Sequence, residues 1–545
     1  MSRISAPLGI AGKRKRIRPE RSILLPTLST TSAPVSIRTT LIGFVLFFAF
    51  AAALQALKGA YAADFAGNPD EAAHYVTGVM ARDYVAAFPW QPPMAFARDF
   101  YDRYPFIAIG HWPPMFYAVQ AAWTLLFGVS RLSVLLLIAA IAAASATIVF
   151  ALSKKRFGTA AAGALALAFL STPIVQEYGR MVMAEMLVTL FVLLAVAAYR
   201  RYLDTGRWRE SLQFALLASA AIMTKPNGLS LALVPIAAVL TARRFDLMKR
   251  LHFWLPALVV VILCGPWYVA TADLAREGWS ASYEPSWLIG QAAAANVLYL
   301  VRIAAMPVFV LALLGAIYEL WPRRDRPANP DSAVLVALLC SIWLFHSFIV
   351  PVREPRHLIP AIPALLMLAA SALAAIARKI TSTAPAPKRA VLTFGTLAVV
   401  AFLFGSIEAR PPSMGADAAV GELLSQTSPS DVVLVSSSGI GEGVFVAELV
   451  EQQRRPGRRV VRASKALSSS NWDGSGYRLS YDSADDADAF LRSAHINVLV
   501  IDLHSVSRVL PHHGQLLEVV RMPNRWRRLE PSADSGFGIF QAVRP

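Results

Sequence analysis

Apolar residues along this 545-residue chain are concentrated in about eleven blocks, most of them close to the length that crosses the roughly 30 Å hydrocarbon core of a membrane as a helix. The predicted spans are residues 39–57, 131–152, 158–174, 183–199, 211–224, 229–241, 252–272, 297–318, 332–350, 358–377 and 390–406. Short polar segments separate most of these blocks. The pattern therefore predicts a mainly α-helical, polytopic transmembrane bundle over residues 39–406.

The pattern changes after residue 406. Asp431–Val435, Ile496–Ile501 and Phe537–Val543 are typical of strands, and Val444–Gln453 has the apolar periodicity of a helix. We therefore predict a separate α/β domain over residues 407–545. Its loop SSSGIGEG has the spacing G-x-G-x-G and not the G-x-G-x-x-G of a dinucleotide site. Anion binding at the helix N-terminus and a purely structural glycine turn both stay open.

Composition and charge agree with a membrane protein. Hydrophobic residues make up 56% of the chain and charged residues 16%, which excludes a soluble globular protein and a disordered chain. The net charge of +17 lies outside residues 410–545, where 15 basic residues balance 15 acidic ones. Basic residues beside membrane helices indicate orientation, so no nucleic-acid partner is expected. Cys264 and Cys340 lie inside apolar blocks, so no disulfide framework is predicted.

Dense basic loops follow alternate predicted spans. The tail 1–38 holds eight basic residues and one acidic residue, and we place it in the cytoplasm. The basic segments that then share its side are residues 154–156, 200–209, 243–250, 323–326 and 378–389. This result requires Trp112–Phe127 to lie at the outer interface, where Trp and Tyr are favoured, because counting it as a span would reverse every later loop. The first outer loop, 58–130, and the domain 407–545 then face outward.

The first apolar block is either a membrane helix that stays in the protein or a signal peptide that is cleaved off before the outer loop. Ala60-Tyr61-Ala62 resembles a signal-peptidase site. The apolar block before it is longer than the usual signal-peptide core, which favours an uncleaved first helix. The orientation is the same in both cases.

The predicted outer face combines an acidic loop with short basic loops. Loop 58–130 is rich in carboxylates, whereas the other outward loops supply Arg180, Lys225, Arg353 and Arg356. This arrangement indicates a site for a phosphorylated lipid beside a catalytic carboxylate. The alternative for each cation is an interfacial anchor, because Lys and Arg at helix ends commonly extend towards water.

Five motifs in order carry a family resemblance. NPDE follows the first span, and HWPPMFY, YGRMVMAEM, TKPNG and REPRHLIPAIPAL follow in turn. Together they resemble the GT-C superfamily of integral-membrane glycosyltransferases over roughly residues 40–380. The branch is that of lipid A aminoarabinose transferases and protein O-mannosyltransferases. The resemblance implies transfer of a sugar from a polyprenyl-phosphate carrier to lipid A or core, a polysaccharide or a protein.

The resemblance assigns residues one by one. The family's acidic residue in the first outer loop matches Asp70, with Glu71 beside it, and its His-Pro-Pro turn begins at His111. The other matches are Arg180, Glu185, Lys225, Arg356 and His357. Two of these depart from the pattern, because Glu185 stands where Asp is common and His357 where Tyr is usual. The catalytic candidates are thus Asp70, Glu71 and Glu185; the substrate-binding candidates are His111, Arg180, Lys225, Arg353, Arg356 and His357.

The transfer chemistry needs a base for the acceptor hydroxyl and cations for the leaving phosphate. We expect Asp70 to be the base, and the alternative is that it only caps the helix beginning at Glu71. Glu185, close to the membrane, either acts in the reaction or pairs with Arg180. A divalent metal is conceivable because several outward-facing residues are histidines, but no spacing typical of a metal motif supports it. No cofactor is therefore assigned.

These observations predict an inverting, polyprenyl-phosphate-dependent glycosyltransferase of the bacterial inner membrane, with a cytoplasmic N-terminus and a periplasmic C-terminal domain. Its partners would be the lipid bilayer, the lipid-linked sugar and a glycan, lipid or protein acceptor. The alternatives are a transporter or flippase of a lipid-linked glycan and a non-catalytic subunit of an envelope glycan assembly. A transporter favours internal repeats and polar residues at mid-membrane depth. Neither feature stands out in this sequence.

Overall fold

The structure is a computed structural model that describes residues 37–108, 110–274, 287–321, 329–351, 353–381, 383, 385–405, 413–471, 475–504, 510–530 and 536–543. The predicted tail up to residue 36 and the predicted domain boundary near residue 407 lie outside the described residues. The described part comprises a helical bundle, a helical outer loop and an α/β region.

The helices before the α/β region are α1 (Ile37–Leu57), α2 (Glu71–Ala86), α3 (Pro93–Tyr101), α4 (Met115–Phe127), α5 (Arg131–Phe157), α6 (Thr159–Ser171), α7 (Pro173–Gly179), α8 (Glu185–Thr205), α9 (Trp208–Ile222), α10 (Val234–Ala242), α11 (Leu251–Ala270), α12 (Trp287–Ala304), α13 (Met306–Leu320), α14 (Pro330–Leu344), α15 (Ile362–Ile380) and α16 (Ala386–Gly405). Short 3₁₀ turns cover Ala60–Ala62, Pro226–Leu233, Phe245–Lys249 and Pro355–Ala361, and a π turn covers Phe345–Ile349.

The chain is a multi-pass membrane protein. Among the described helices, seven are long and apolar enough to cross a membrane, or nine if each of two bent pairs counts as one span. The other two of the eleven predicted spans form α9, which has 15 residues, and a 3₁₀ turn followed by α10. Both segments are shorter than the roughly 20 residues that a straight span needs.

Proline and local backbone geometry explain the two bends. The helices α6 and α7 meet at 63°, and Pro173 begins the second of them. The helices α12 and α13 meet at 108°, where Ala305 has a positive φ of 66° and Pro307 follows. Proline lacks the N–H that would continue the helical ladder and disfavours helical geometry in the residue before it. Continuous apolar blocks are therefore divided into two helices.

The outer loop folds into α2, α3 and α4 between the first two spans. The helix α2 packs against α4 and is buried along most of its length, with Tyr75 and Val76 fully inaccessible. The apolar helix α4 has 13 residues, too few to cross the membrane unbent. This length agrees with the prediction that Trp112–Phe127 is not a span. The loop thus supports the residues at the start of α2.

The C-terminal region is an α/β layer, as predicted. Its helices are α17 (Ala416–Gln426), α18 (Gly439–Gln452), α19 (Ala463–Ala466), α20 (Ala484–Ser493) and α21 (Pro511–Val519). Its strands are β1 (Val432–Ser436), β2 (Val460–Arg462), β3 (Ser468–Ser469), β4 (Arg478–Leu479), β5 (Ile496–Asp502), β6 (Trp526–Arg528) and β7 (Phe537–Ala542). The five-stranded sheet has the order β2-β1-β5-β7-β6, and β1 is parallel to β2 and β5. The strand β7 runs antiparallel to β5 and β6.

The glycine-rich loop belongs mostly to helix α18, which begins five residues before the predicted start. Ser438 caps this helix by accepting a hydrogen bond from the Gly441 N–H at 3.2 Å. A Cβ on Gly443 would lie 2.3 Å from the Phe106 ring of the outer loop. The absence of a side chain at Gly443 therefore lets the outer loop approach the helix closely. This packing supports the structural interpretation of the loop.

Polar contacts join the C-terminal region to the outer loop. Arg455 pairs with Asp83 of α2 at 2.7 Å, and the Met414 N–H donates to Asp64 at 2.6 Å. Between them, the fully buried Tyr104 hydroxyl accepts hydrogen bonds from the Gly457 N–H at 2.8 Å and the Gln453 amide at 2.9 Å. The two regions therefore form one packed unit.

Removing the Tyr104 hydroxyl is expected to loosen this contact. Tyr104→Phe leaves two buried donors without a partner, which costs about 1–3 kcal/mol. We expect faster hydrogen exchange in α18 and a lower melting temperature. Tyr101→Phe is the control, because Tyr101 is on the same loop and exposed. Equal behaviour of the two variants would contradict the proposed importance of the contact.

Candidate active site

Four separate elements meet at one end of the helical bundle. The residues they contribute are Asp70 at the N-terminus of α2, Glu185 at the first position of α8, Lys225 after α9 and Arg356 in the 3₁₀ turn before α15. All four are candidates predicted from the sequence. Because α8, α9 and α15 pack against one another directly or through the 3₁₀ turns, residues far apart along the chain become neighbours.

Arg356 connects the carboxylates of this cluster. Its Nη1 lies 3.0 Å from Asp70 Oδ2, and its Nε lies 3.9 Å from Glu185 Oε1. The same Nε donates to Glu354 two residues earlier. The guanidinium side chain is only 16% exposed. A planar group with several donors can hold carboxylates in fixed directions, and it matches a phosphate equally well.

The partner of Glu185 is Lys225 and not Arg180. The Lys225 ammonium contacts Glu185 Oε1 directly, and the two side chains are almost fully buried. The alternative of a Glu185–Arg180 pair is therefore wrong. Within the described residues, the Arg180 side chain has no carboxylate within 4 Å, so its positive charge is not neutralised by a direct contact.

The Asp70 carboxylate does not cap helix α2. Its side chain makes no capping hydrogen bond, and its own N–H donates to Asn68 Oδ1 at 3.0 Å. Oδ2 is bonded to Arg356, whereas Oδ1 makes no hydrogen bond to any described residue. The side chain is 18% exposed. Asp70 is thus oriented by Arg356 and keeps one oxygen available.

Glu71 has a different environment from Asp70. Its carboxylate pairs with Arg131 at 3.0 Å and accepts the Val182 N–H at 3.1 Å, with no exposed surface. Arg131 also donates to the carbonyl oxygen of Ala63 at 3.0 Å. Glu71 therefore ties the start of α2 to α5 and to the segment before α8.

Sequence reasoning missed Arg131 as a partner of Glu71. The residue follows Ser130 at the start of a 27-residue apolar helix, a position that resembles an ordinary interfacial anchor. The available clue is that Arg131 lies at the end of α5 that the sequence predicts to face outward, where few basic residues are expected. Its burial, at 6% exposure, distinguishes it from an anchor.

The loop before α15 holds the remaining cationic candidates. His357 lies 3.5 Å from Glu354, and Arg353 donates to the exposed Gln291 at 3.0 Å, away from the buried pairs. The hydrogen bond from His357 and the charge of Arg356 lower the pKa of Glu354 to about 2. Glu354, which sequence reasoning also missed, therefore stays ionised and fixes both neighbours.

Aromatic rings line the other side of the cluster. His111 contacts Trp112, whose ring centroid lies 4.7 Å from that of His74 on α2. Across the described residues, no group of three or more His, Cys, Asp or Glu side chains is placed to hold a metal ion. The arrangement can supply one oriented carboxylate, several cations and an aromatic wall.

Comparison with known families gives a direct match in the bundle. Residues 111–269 match the family described as dolichyl-phosphate-mannose-protein mannosyltransferase. The matched segment contains His111, Arg180, Glu185 and Lys225. Among curated protein sequences, none matches the chain significantly.

Solved structures match almost the whole chain. ArnT from Cupriavidus metallidurans bound to undecaprenyl phosphate has a TM-score of 0.56 at 17% identity, covering 91% of this chain and 97% of its own. The apo form of the same protein has a TM-score of 0.58 at 17% identity, with 93% and 98% covered. An oligosaccharyltransferase from Archaeoglobus fulgidus has a TM-score of 0.50 at 13% identity, with 86% and 69% covered. At these identities, the likeness shows a shared fold that includes the C-terminal region.

Proposed function

We propose that this membrane chain, whose residues 111–269 match a mannosyltransferase family, is a GT-C glycosyltransferase that transfers a sugar from a polyprenyl-phosphate carrier to an acceptor hydroxyl, with Asp70 as the general base. The observation that carries the proposal is the Asp70–Arg356 contact, which orients a carboxylate beside a cluster of cations. The structural relative bound to undecaprenyl phosphate supports the class of carrier. The acceptor classes are lipid A or core, a polysaccharide or a protein.

The proposed reaction is a single displacement at C1 of the sugar. The acceptor oxygen forms the new bond to C1 while its proton passes to Asp70 Oδ1. The bond between C1 and the phosphate oxygen breaks, and the electron pair leaves with the polyprenyl phosphate. No second carboxylate is needed as a covalent nucleophile, so the configuration at C1 inverts. A positioned base typically contributes about 10²–10⁴-fold to such a step.

The cations would bind the phosphate that leaves. Arg356 and Lys225 stand next to the two functional carboxylates, and Arg180 is not neutralised by a direct ion pair. We assign these three to the phosphate, with His111 and His357 beside them and Arg353 at the exposed edge of the site. Groups that already point at the developing charge stabilise the transition state without further rearrangement. Glu185 holds Lys225 in place, and Glu71 holds the start of α2.

The helix ends support a periplasmic location for the site. The helices α5 and α8 begin at the site and end near the basic residues Lys154 and Arg200. Basic residues favour the cytoplasmic side. We therefore propose a bacterial inner-membrane protein with a cytoplasmic N-terminus, a transferase domain over residues 39–406 and a periplasmic domain over residues 407–545 that contributes to acceptor recognition.

Analysis of carrier lipids tests the function. Cells lacking the chain should accumulate one polyprenyl-phosphate sugar, detected by mass spectrometry of extracted lipids. The purified chain, supplied with that lipid and an envelope extract, should release free polyprenyl phosphate. A flippase would leave the lipid intact in the second assay, and a non-catalytic subunit would leave it intact when purified alone. Either of these results would contradict the proposal.

Arg356→Gln is expected to weaken binding of undecaprenyl phosphate by about 10-fold or more, because hydrogen bonds to charged groups contribute roughly 1.5–3 kcal/mol. Affinity can be measured by thermophoresis with the chain in nanodiscs. Arg378→Gln is the matched control, because Arg378 is exposed at the opposite end of α15. If Arg356→Gln and Arg378→Gln bind undecaprenyl phosphate with equal affinity, the assignment of Arg356 to the phosphate site is wrong.

A further inference from the structure

Buried polar atoms that lack a hydrogen-bond partner are concentrated around Lys225. Atoms of this kind in the neighbourhood are Glu185 Oε2, His74 Nε2, Asn227 Oδ1, both ring nitrogens of His346, Ser347 Oγ and His357 Nδ1. Asn227 follows Lys225 by two residues, and all three imidazoles interact electrostatically with the Lys225 ammonium. Folded proteins satisfy most buried polar groups, so a concentration of unsatisfied atoms indicates a place for a polar ligand.

His74 is the imidazole closest to the proposed base along the chain. It lies one turn after Asp70 on α2, and its N–H donates to the Asp70 carbonyl oxygen at 3.0 Å. Its Nδ1 is 3.0 Å from the Tyr117 hydroxyl, which fixes the ring beside Trp112. The residue is 1% exposed, and Nε2 has no partner. The ring is therefore held rigidly with one nitrogen unused.

His346 approaches the cluster from a different element. It lies in the π turn after α14, is 2% exposed and packs against His357 with ring centroids 5.2 Å apart. Its backbone carbonyl oxygen accepts a hydrogen bond from the Asn296 amide at 3.0 Å, so the turn is anchored. Both ring nitrogens are without a partner. π turns within helices occur frequently at functional sites.

Neutral imidazoles suit hydroxyl groups better than phosphate. Burial lowers the pKa of His74 to about 4, so its ring is uncharged at neutral pH. A neutral imidazole offers one donor and one acceptor, and a hydroxyl group can also donate and accept. A phosphate oxygen in its ionised form only accepts, and Arg356 and Lys225 already supply donors. The unused nitrogens thus match the polyhydroxylated part of the substrate.

We propose that His74 and His346 form a sugar subsite, in which Nε2 of His74 and a ring nitrogen of His346 hydrogen-bond ring hydroxyls of the sugar on the carrier. This subsite rests on the proposed function. Different residues then bind different parts of the substrate: the cations bind the phosphate, and the imidazoles bind the sugar. The sugar is then oriented with C1 between Asp70 and the leaving phosphate.

Binding with and without the sugar tests the subsite. The probes are undecaprenyl phosphate and a panel of undecaprenyl-phosphate pentoses and hexoses, measured by thermophoresis on the full chain in nanodiscs. The wild type should bind at least one sugar-bearing carrier more tightly than the bare carrier. His74→Phe should lose about 3- to 10-fold of affinity for that lipid and keep its affinity for the bare carrier, because one hydrogen bond is lost.

Two further variants make the test specific. His346→Phe, on a separate element, should give the same selective loss and serves if His74→Phe does not fold. His512→Phe is the matched control, because His512 is also fully buried and has an unpartnered Nε2 but lies in the C-terminal region. It should change neither affinity.

The outcomes separate the subsite from the function. A wild type that gains nothing from any sugar, or histidine variants that lose affinity for both lipids equally while folded, would overturn the subsite alone. A wild type that does not bind undecaprenyl phosphate at all would contradict the proposed function as well.

Discussion

Asp70→Asn is expected to lower the rate of sugar transfer by about 10²–10⁴-fold, because Asn cannot take the proton of the acceptor hydroxyl. The replacement has the same size and can still accept the hydrogen bond that Arg356 donates to Oδ2. Binding of the carrier should therefore change little. The measurement is release of free polyprenyl phosphate by the purified chain, with the lipid-linked sugar accumulating in cells that carry the variant.

Asp99→Asn is the matched control for this result. Asp99 lies on α3 of the same outer loop and is exposed, so the substitution changes the charge of the loop without entering the site. Its transfer rate should equal that of the wild type. If Asp70→Asn retains full activity at equal protein level, Asp70 is not the base and the single-displacement mechanism fails.

The membrane bundle was largely predictable because apolar block length determines where spans can lie. The positions at which the helices bend were not predictable. Residues 158–174 form one continuous apolar block, yet Pro173 starts a new helix at 63° to α6. Prolines also occur within uninterrupted helices, as Pro256 does in α11. Whether a proline bends a span depends on the neighbouring helices that re-satisfy the backbone, and hydropathy does not contain this information.

The sequence was enough to predict which kinds of residue form the site and that they lie at one face of the bundle. It was not enough to predict which of these residues form pairs. Arg180 is nearer to Glu185 along the chain than Lys225 is, but the segment between them is not helical. The packing of α8 on α9 brings Lys225, 40 residues away, to the buried carboxylate. Asp70 and Arg356 meet across 286 residues. Contacts of this kind follow from the fold and from no local spacing.

The C-terminal region reaches the site through Arg131. Glu451 on α18 accepts the Arg131 N–H at 3.0 Å, while the Arg131 side chain holds Glu71 next to Asp70. The sequence placed these residues in separate predicted domains. Their contact means that docking of the α/β layer and the position of the proposed base are physically connected.

Lys225→Met is expected to destabilise the protein by about 3 kcal/mol, at the lower end of the range for removing one member of a buried ion pair. Glu185 would stay buried and lose its direct partner, although Arg356 at 3.9 Å would compensate in part. The free energy of unfolding in detergent gives the size of the effect. Transfer activity should fall in addition, because Lys225 is assigned to the leaving phosphate.

Adding Glu185→Gln to Lys225→Met separates these two effects. The double variant contains no unpaired buried charge, so most of the lost stability should return. Activity should stay low, because the phosphate still lacks the lysine. Arg156 and Glu319 form a comparable ion pair at the opposite end of the bundle. Arg156→Met, alone and combined with Glu319→Gln, should change the free energy of unfolding but not the transfer activity per folded molecule. If stability and activity recover together in the Glu185/Lys225 double variant, the pair is structural and the phosphate is bound by the arginines alone.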